Sequence, residues 1–136
     1  MAAFRDRQDF AASIPAMAKI LIVEDDESVR TLAARALERV GHAIEVAGDG
    51  AAGLACIRAS GGGFDLVVSD IRMPELDGIE MAKSAASSYP GLRILLITGY
   101  ADQHERAEDL RDIIVDVVQK PFTLAEIREH VGKALG

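Results

Sequence analysis

The sequence predicts an α/β fold in which five parallel strands form one sheet that helices cover on both faces. Short β-branched segments recur along the chain, and helical segments lie between them in strict alternation. The strand segments are mainly apolar, which is typical of strands that are buried on both faces. Strict alternation implies parallel strands joined by right-handed crossovers, and therefore a doubly wound sheet.

The five strand segments are short and have polar or glycine-containing segments beside them. They span residues 19–23, 43–46, 65–69, 93–97 and 113–118. For this (βα)5 chain we expect the flavodoxin-like strand order 2-1-3-4-5, in which the first and third strands are neighbours. The second and fifth strands would then form the edges of the sheet.

The first and last predicted helices have the clearest apolar faces. Asp26 is expected to cap the first helix, and Gly41 is expected to stop it. Its apolar residues fall on one stripe: Val29, Leu32, Ala33, Ala36, Leu37 and Val40. In the last helix, Thr123 and Glu126 have the spacing of a capping box. One face of that helix contains Leu124, Ile127, Val131 and Leu135.

The other helices have weaker patterns. Ala-rich residues 50–60 and 79–89 predict the second and third helices, and glycine or proline follows each of them. The fourth helix, within residues 101–112, has only Ala107 and Leu110 as clear apolar anchors. With so little apolar area to bury, we expect it to be the least firmly held helix of the domain.

Composition limits the classes of function. The chain has 136 residues, of which 49% are hydrophobic and 27% charged, as in one globular domain. The formal charge of −7 argues against direct nucleic-acid binding and favours cations and proteins as partners. No apolar run approaches the ~20 residues that span a bilayer, so we expect no membrane association. The lone Cys56 predicts a reducing, cytoplasmic location. We assign residues 19–136 to the domain and residues 1–18 to a flexible amino-terminal extension.

Polar residues stand where four of the predicted strands end. The first strand ends at Glu24-Asp25, the third at Asp70, the fourth at Thr98 and the fifth at Lys120. Ligands of doubly wound sheets bind beyond these carboxyl ends, at the point where the strand order reverses. Because the first and third strands are neighbours in the expected order, the three carboxylates should converge.

Three converging acids favour a bound cation. Two carboxylates about 4 Å apart repel by roughly 4 kcal/mol at an effective dielectric of about 20. Either some of the acids stay protonated or a cation lies between them. Mg²⁺ fits best, because it binds one or two carboxylates, keeps waters and completes its shell with phosphate oxygens. With Lys120 and Thr98 beside a phosphoryl group, Asp70 can act as the nucleophile and form an aspartyl phosphate.

Four segments of the chain resemble the receiver domain of two-component response regulators. They are "ILIVEDDESVR", "VVSDIRMPELDG", "LLITGYA" and "VVQKPFTLAEI", and the resemblance runs from about Lys19 to Leu135. It implies a phosphorylation-dependent signalling module of a two-component system or phosphorelay, which catalyses only its own phosphorylation and dephosphorylation. The chain is similar in particular to stand-alone, single-domain receivers.

The resemblance also implies roles for individual residues. Asp70 would be the phosphoacceptor, Asp25 a direct Mg²⁺ ligand and Glu24 a ligand through water. The backbone carbonyl of Arg72 would be a further ligand. Two side chains would contact the phosphoryl group, namely Thr98 and Lys120. The peptide bond before Pro121 is expected to be cis.

Two positions depart from the family pattern. Glu24 stands where Asp is commoner, which keeps a carboxylate at the site. Val117 stands where the family often has Tyr or Phe, so an aromatic ring cannot couple to Thr98 in the usual way. Tyr100 is a candidate to replace that ring or to shield the site. We also expect Arg72 and Tyr100 to slow hydrolysis of the aspartyl phosphate, which unchanged phosphate lifetimes in both alanine variants would refute.

The resemblance implies protein partners on both sides of the reaction. A histidine kinase or a histidine phosphotransfer protein would supply the phosphoryl group. An unknown downstream protein would bind the face formed by the fourth helix, fifth strand and fifth helix. An alternative is a Mg²⁺-dependent phosphohydrolase with an aspartyl-phosphate intermediate. Such hydrolases of the haloacid dehalogenase type carry Asp-x-Asp after the first strand, whereas this chain has Asp25-x-Glu27. A receiver that signals without phosphate is disfavoured, because every residue of the phosphoryl site is present.

Other polar residues have structural interpretations. Asp26 and Glu27 suit an acidic helix start, and Asp77-Gly78 suits a turn that leads into a helix. Cys56 lies on an Ala-rich helix and is expected to serve packing. The histidines form no ligand set and are expected at the surface: His42, His104 and His130.

Overall fold

A computed structural model describes residues 18–99, 105–107 and 110–136 of the chain. Its sheet has five parallel strands in the order β2-β1-β3-β4-β5, so the predicted fold class and strand order are confirmed. The strands are β1 (Lys19–Val23), β2 (Ala43–Ala47), β3 (Leu66–Asp70), β4 (Ile94–Thr98) and β5 (Asp116–Gln119). The described part of the chain has no helix with the length and apolar character needed to cross a bilayer.

Helices cover both faces of this sheet. They are α1 (Glu27–Glu38), α2 (Gly50–Ala59), α3 (Gly78–Ser88) and α5 (Leu124–Leu135), and the helical residues 105–107 are labelled α4. The expected weakness of the fourth helix concerns a segment that lies partly outside the described residues. Its two predicted anchors, Ala107 and Leu110, are buried in the core.

Local capping follows the sequence at both predicted sites. The Asp26 side chain accepts a hydrogen bond from the Val29 N–H and caps α1. Thr123 and Glu126 form the reciprocal capping box at the start of α5. These side chains satisfy backbone N–H groups that a helix start leaves without partners.

The apolar stripe of α1 is narrower than the sequence predicts. Leu32 is 54% exposed, and Val40, which lies beyond the end of the helix, is 46% exposed. The helix instead buries small residues together with Leu37, namely Ala33, Ala34 and Ala36. Because three of its four buried residues are alanines, only a narrow arc of α1 contacts the sheet.

The core consists of two apolar clusters, one on each face of the sheet. Successive residues of β1 alternate between them: Leu21 and Val23 pack with α2 and α3, whereas Ile20 and Ile22 pack with α1 and α5. The central strands β3 and β4 are buried throughout, including Asp70 and Thr98 at their carboxyl ends. The sheet therefore holds these two polar residues on rigid, fully packed strands.

Two histidines differ from the prediction of free surface positions. His42 is half-buried, and its Nδ1 accepts a hydrogen bond from the Ala18 N–H at 3.3 Å. His130 is also half-buried, and its Nδ1 lies 2.7 Å from Oδ2 of Asp116 on β5. Sequence spacing did not indicate these partners, which are distant along the chain. Cys56 packs against the core as expected, and His104 lies outside the described residues.

Candidate functional site

Three carboxylates meet at the carboxyl end of the sheet. Glu24 and Asp25 directly follow β1, and Asp70 is the last residue of β3. Because β1 and β3 pair in parallel, with Val23 opposite Ser69, the ends of the two strands are adjacent. One oxygen from each carboxylate lies within 4.8 Å of the other two. The predicted convergence of the acids is therefore present in the fold.

The three acids differ in their exposure to solvent. Glu24 is 2% exposed and Asp70 5% exposed, whereas Asp25 is exposed. Oε2 of Glu24 is buried and has no hydrogen-bond partner within the described residues. Buried carboxylate oxygens are costly to leave without a partner. The unpaired oxygen thus indicates that this cluster is built to bind something more.

Lys120 provides a positive charge at the cluster. Its Nζ lies 2.9 Å from Oδ2 of Asp70 and 3.5 Å from Oε1 of Glu24. The backbone of Lys120 is held by a hydrogen bond of 2.7 Å from its N–H to the carbonyl of Thr98 at the end of β4. The peptide bond to Pro121 is cis, as expected. Lys120 is therefore fixed beside Asp70 by the sheet as well as by its own ion pair.

Electrostatics at the site leave an excess of negative charge. Burial and the charge of Asp70 raise the pKa of Glu24 to about 7, although Lys120 opposes this shift. Burial acts to lower the pKa of Lys120, but its hydrogen bond to Asp70 and the charges of both acids raise that pKa overall. Two unit charges no more than 4.8 Å apart repel by at least about 3.5 kcal/mol at an effective dielectric of about 20. One ammonium group cannot neutralise three carboxylates.

The site residues suit a hard divalent cation. All donors are oxygens, which Mg²⁺ prefers, and the exposed Asp25 leaves room for retained water. The cluster lies in an open cavity of about 750 Å³. The cavity is polar at the cluster and apolar on the side of α1 and the segment after β5: its walls include Arg72, Gly99, Lys120, Val29, Leu32, Pro121, Phe122 and Leu124.

The remaining predicted residues have different surroundings. Thr98 is fully buried, and its Oγ1 has no hydrogen-bond partner among the described residues. Arg72 is exposed and lines the cavity. Val117 is half-buried and packs against the core cluster that contains α2 and α3. Tyr100 lies outside the described residues, so its proposed shielding of the site stays a prediction.

Comparison with known proteins shows to which family the chain belongs. Residues 20–132 match the family model of the response regulator receiver domain. The chain belongs to this family. The receiver is 35% identical over 119 residues to the response regulator receiver protein CpdR of Brucella abortus (strain 2308), covering 88% of this chain and 98% of CpdR.

Two further proteins extend the comparison of the receiver. It is 30% identical over 135 residues to the sensor kinase CckA of Brucella abortus (strain 2308), covering 99% of this chain but only 14% of the length of CckA. The solved structure of the chemotaxis response regulator CheY4 of Vibrio cholerae superimposes with a TM-score of 0.78 at 29% identity. That alignment covers 88% of this chain and 99% of CheY4.

The apolar wall of the receiver site was not predicted from the sequence. The sequence places Leu32 on the apolar stripe of α1 and indicates no role for Phe122. Both residues nevertheless line the cavity beside the acids. The position of α1 directly after β1 is a local signal for part of this wall, because the first turns of that helix must lie near the carboxyl end of the sheet. That signal places Val29 and Leu32 near the site, but it does not reveal that Leu32 faces the cavity.

Proposed function

We propose that this receiver accepts a phosphoryl group on Asp70 from a phosphohistidine donor, with Mg²⁺, and signals through protein contacts. The convergence of three carboxylates and Lys120 at the ends of adjacent strands carries the proposal. Membership of the receiver family supports a phosphoacceptor rather than an enzyme that turns over a separate substrate. Residues 19–136 would form the receiver unit, with residues 1–18 as an extension.

Mg²⁺ would be held by oxygen atoms at the carboxyl end of the sheet. Asp25 and Asp70 would bind it by their side chains, Arg72 by its backbone carbonyl and Glu24 through water. When bound, the ion neutralises charge on the acids and on the transferring phosphoryl group. The buried, unpaired oxygen of Glu24 supports this assignment.

The chemical step would be an in-line displacement at phosphorus. A carboxylate oxygen of Asp70 forms the new O–P bond while the N–P bond of the phosphohistidine breaks, and the electron pair of that bond stays on the imidazole. Lys120, already 2.9 Å from Asp70, would stay beside the phosphoryl oxygens and stabilise their charge. The buried hydroxyl of Thr98, which has no partner among the described residues, would donate to another of them.

The donor would approach through the open cavity. Asp70 has a side chain that is only 7% exposed, so a donor must enter at the cavity mouth and contact its apolar wall. The partly exposed Leu32 and Leu124 belong to that wall and would contact the donor protein. Similarity to a segment of a sensor kinase supports a histidine kinase or a histidine phosphotransfer protein as donor.

The output surface is proposed at α4, β5 and α5, of which α5 also contributes Leu124 to the cavity wall. Val117 lies on β5 at the edge of the sheet and packs against the core instead of presenting an aromatic ring. A signal from Thr98 would therefore reach this face through packing of β4 against β5 rather than through ring rotation. The partner and a cytoplasmic location stay predictions.

Intact-mass spectrometry after incubation with acetyl phosphate and MgCl2 tests the proposal. The parent should gain the mass of one phosphoryl group, and the Asp70→Asn variant should gain none. Asp112→Asn makes the same chemical change at an exposed position and should be labelled like the parent. Labelling of Asp70→Asn at the parent's level would refute the assignment. Catalytic turnover of a phosphomonoester by the parent would instead favour a phosphohydrolase.

A further inference from the structure

Arg30 contacts the loop that carries two of the acids. It lies in α1 and is half-buried. Its guanidinium Nη1 donates a hydrogen bond of 2.9 Å to the backbone carbonyl of Glu24, six residues earlier. A Cβ atom on Gly48 would lie 3.4 Å from the same Nη1, so the guanidinium also lies against the backbone just beyond β2. Arg30 thus joins the β1–α1 loop to the segment that follows the edge strand.

The backbone of Glu24 is held on both sides. Its N–H donates to the carbonyl of Ala47 at 3.1 Å, and its own carbonyl accepts from Arg30. The side chain is held as well, because Oε1 accepts from the Asp26 N–H at 3.3 Å and lies 3.5 Å from Lys120. Removing the hydrogen bond from Arg30 would free the carbonyl of Glu24 and leave the other contacts of Glu24 in place.

That carbonyl also determines the position of Asp25. The carbonyl of Glu24 and the N and Cα atoms of Asp25 belong to one planar peptide unit. A hydrogen bond that fixes the carbonyl oxygen therefore fixes the point from which the Asp25 side chain extends. Asp25 is exposed, whereas Asp70 is buried. The position of the Asp25 side chain therefore depends more on its backbone than that of Asp70 does.

Arg30 acts on the loop through the carbonyl and not through a carboxylate. Among the described residues, its guanidinium donates to the carbonyl of Glu24, whereas the ion pairs of Glu24 and Asp70 are made by Lys120. These contacts support a role for Arg30 in positioning the backbone of the loop rather than in neutralising the charge of the acids.

We propose that Arg30 is a positioning residue that fixes the Glu24–Asp25 peptide in the orientation needed to bind the divalent cation. Arg30 would thereby set the affinity of the site for that cation. The inference rests on the proposed function, since it assumes that the cation binds at these acids. Residues that orient metal ligands without touching the metal typically change its affinity by about 10- to 100-fold when they are replaced.

Calorimetric titration with MgCl2 tests this role independently of phosphorylation. We expect Arg30→Met to bind Mg²⁺ at least tenfold more weakly than the parent. Arg30→Lys keeps the charge but not the planar fork, and should show an intermediate loss. Arg35→Met removes the same charge from an exposed position of the same helix and should bind within twofold of the parent. Circular dichroism would show that each variant is folded.

The outcomes separate the two proposals. Parent-like affinity in Arg30→Met, or an equal loss in Arg35→Met, would overturn the positioning role while leaving the metal site intact. If Arg30→Met does not fold, parent-like affinity in Arg30→Lys has the same consequence. A parent that binds no Mg²⁺ would instead overturn the proposed function, because the site itself would then lack its cation.

Discussion

Burial and like charge both oppose the ionisation of Glu24. Its side chain is 3% exposed, lies beside Asp70 and has a pKa raised to about 7 from an ordinary value of 4.5. Between these two pH values Glu24 binds more protons in the folded protein than in the unfolded chain. Raising the pH through this window therefore lowers the contribution of Glu24 to the free energy of unfolding. The acid that would help to hold a cation thus destabilises the protein when no cation is bound.

Glu24→Gln should separate stability from metal binding. Without divalent cations and above pH 7, we expect the variant to be more stable than the parent by on the order of 1–3 kcal/mol. This stability difference should grow as the pH rises from 4.5 to 7, because only the parent must ionise Glu24. The Mg²⁺ affinity of the variant should fall. Urea unfolding at a series of pH values measures the stability effects. Glu45→Gln, exposed on β2, is the control and should keep the parent's pH dependence. A variant less stable than the parent above pH 7 would contradict this account.

The start of α3 contacts both α4 and the end of β3, which carries Asp70. Asp77 caps α3 by accepting from the Glu80 N–H, and it also pairs with Arg106 of α4 at 2.9 Å. The next residue, Gly78, packs so closely on β3 that a Cβ atom there would collide with the carbonyl oxygen of Asp70. One ion pair and one glycine therefore connect α4 to the strand that ends in Asp70.

A double-mutant cycle of Asp77→Asn and Arg106→Gln measures this connection. Asparagine keeps the cap oxygen, so the cycle isolates the ion pair. Because the side chains are 24% and 49% exposed, we expect a coupling energy of about 0.2–1 kcal/mol at neutral pH. Burial acts to raise the pKa of Asp77, but hydrogen bonds from Glu80 and Arg106 lower it below its ordinary value of 3.8. The coupling should therefore be present above pH 3.8 and be lost at lower pH. Additive effects at neutral pH would show that the pair does not join the two elements.

Sequence reasoning predicted the bounds of the first four strands better than those of the fifth. The first four strand segments were placed within one residue at each end, because an apolar run followed by a polar residue is a local signal. The fifth was predicted over residues 113–118 but begins at Asp116, because Ile113 and Ile114 pack into the core near α4 instead of joining the sheet. A β-branched pair fits either environment. The pairs His130–Asp116 and Arg106–Asp77 leave no local signal, since each joins residues that only the folded chain brings together.

The candidate metal site connects strands that carry both halves of the core. β1 and β3 contribute side chains to the two apolar clusters, and the acids lie at their shared end. A cation bound there stabilises the folded state only, since the unfolded chain does not bring Glu24, Asp25 and Asp70 together. The net charge of −7 adds a second, non-specific response to salt, because counterions weaken repulsion over the whole surface.

Thermal unfolding in MgCl2 and in NaCl of equal ionic strength distinguishes the two responses. Screening alone should raise the melting temperature equally in both salts, whereas a specific site adds about 1.4 kcal/mol when Mg²⁺ is tenfold above its dissociation constant. We therefore expect MgCl2 to stabilise the parent more than NaCl does. Asp25→Asn should remove this difference and keep the response to NaCl, because Asp25 is exposed and its replacement leaves the core unchanged. Asp26→Asn lies next to it, keeps the cap of α1 and should retain the parent's extra response to Mg²⁺. Equal stabilisation of the parent by both salts would show that its acidic cluster attracts cations only as part of a negative surface.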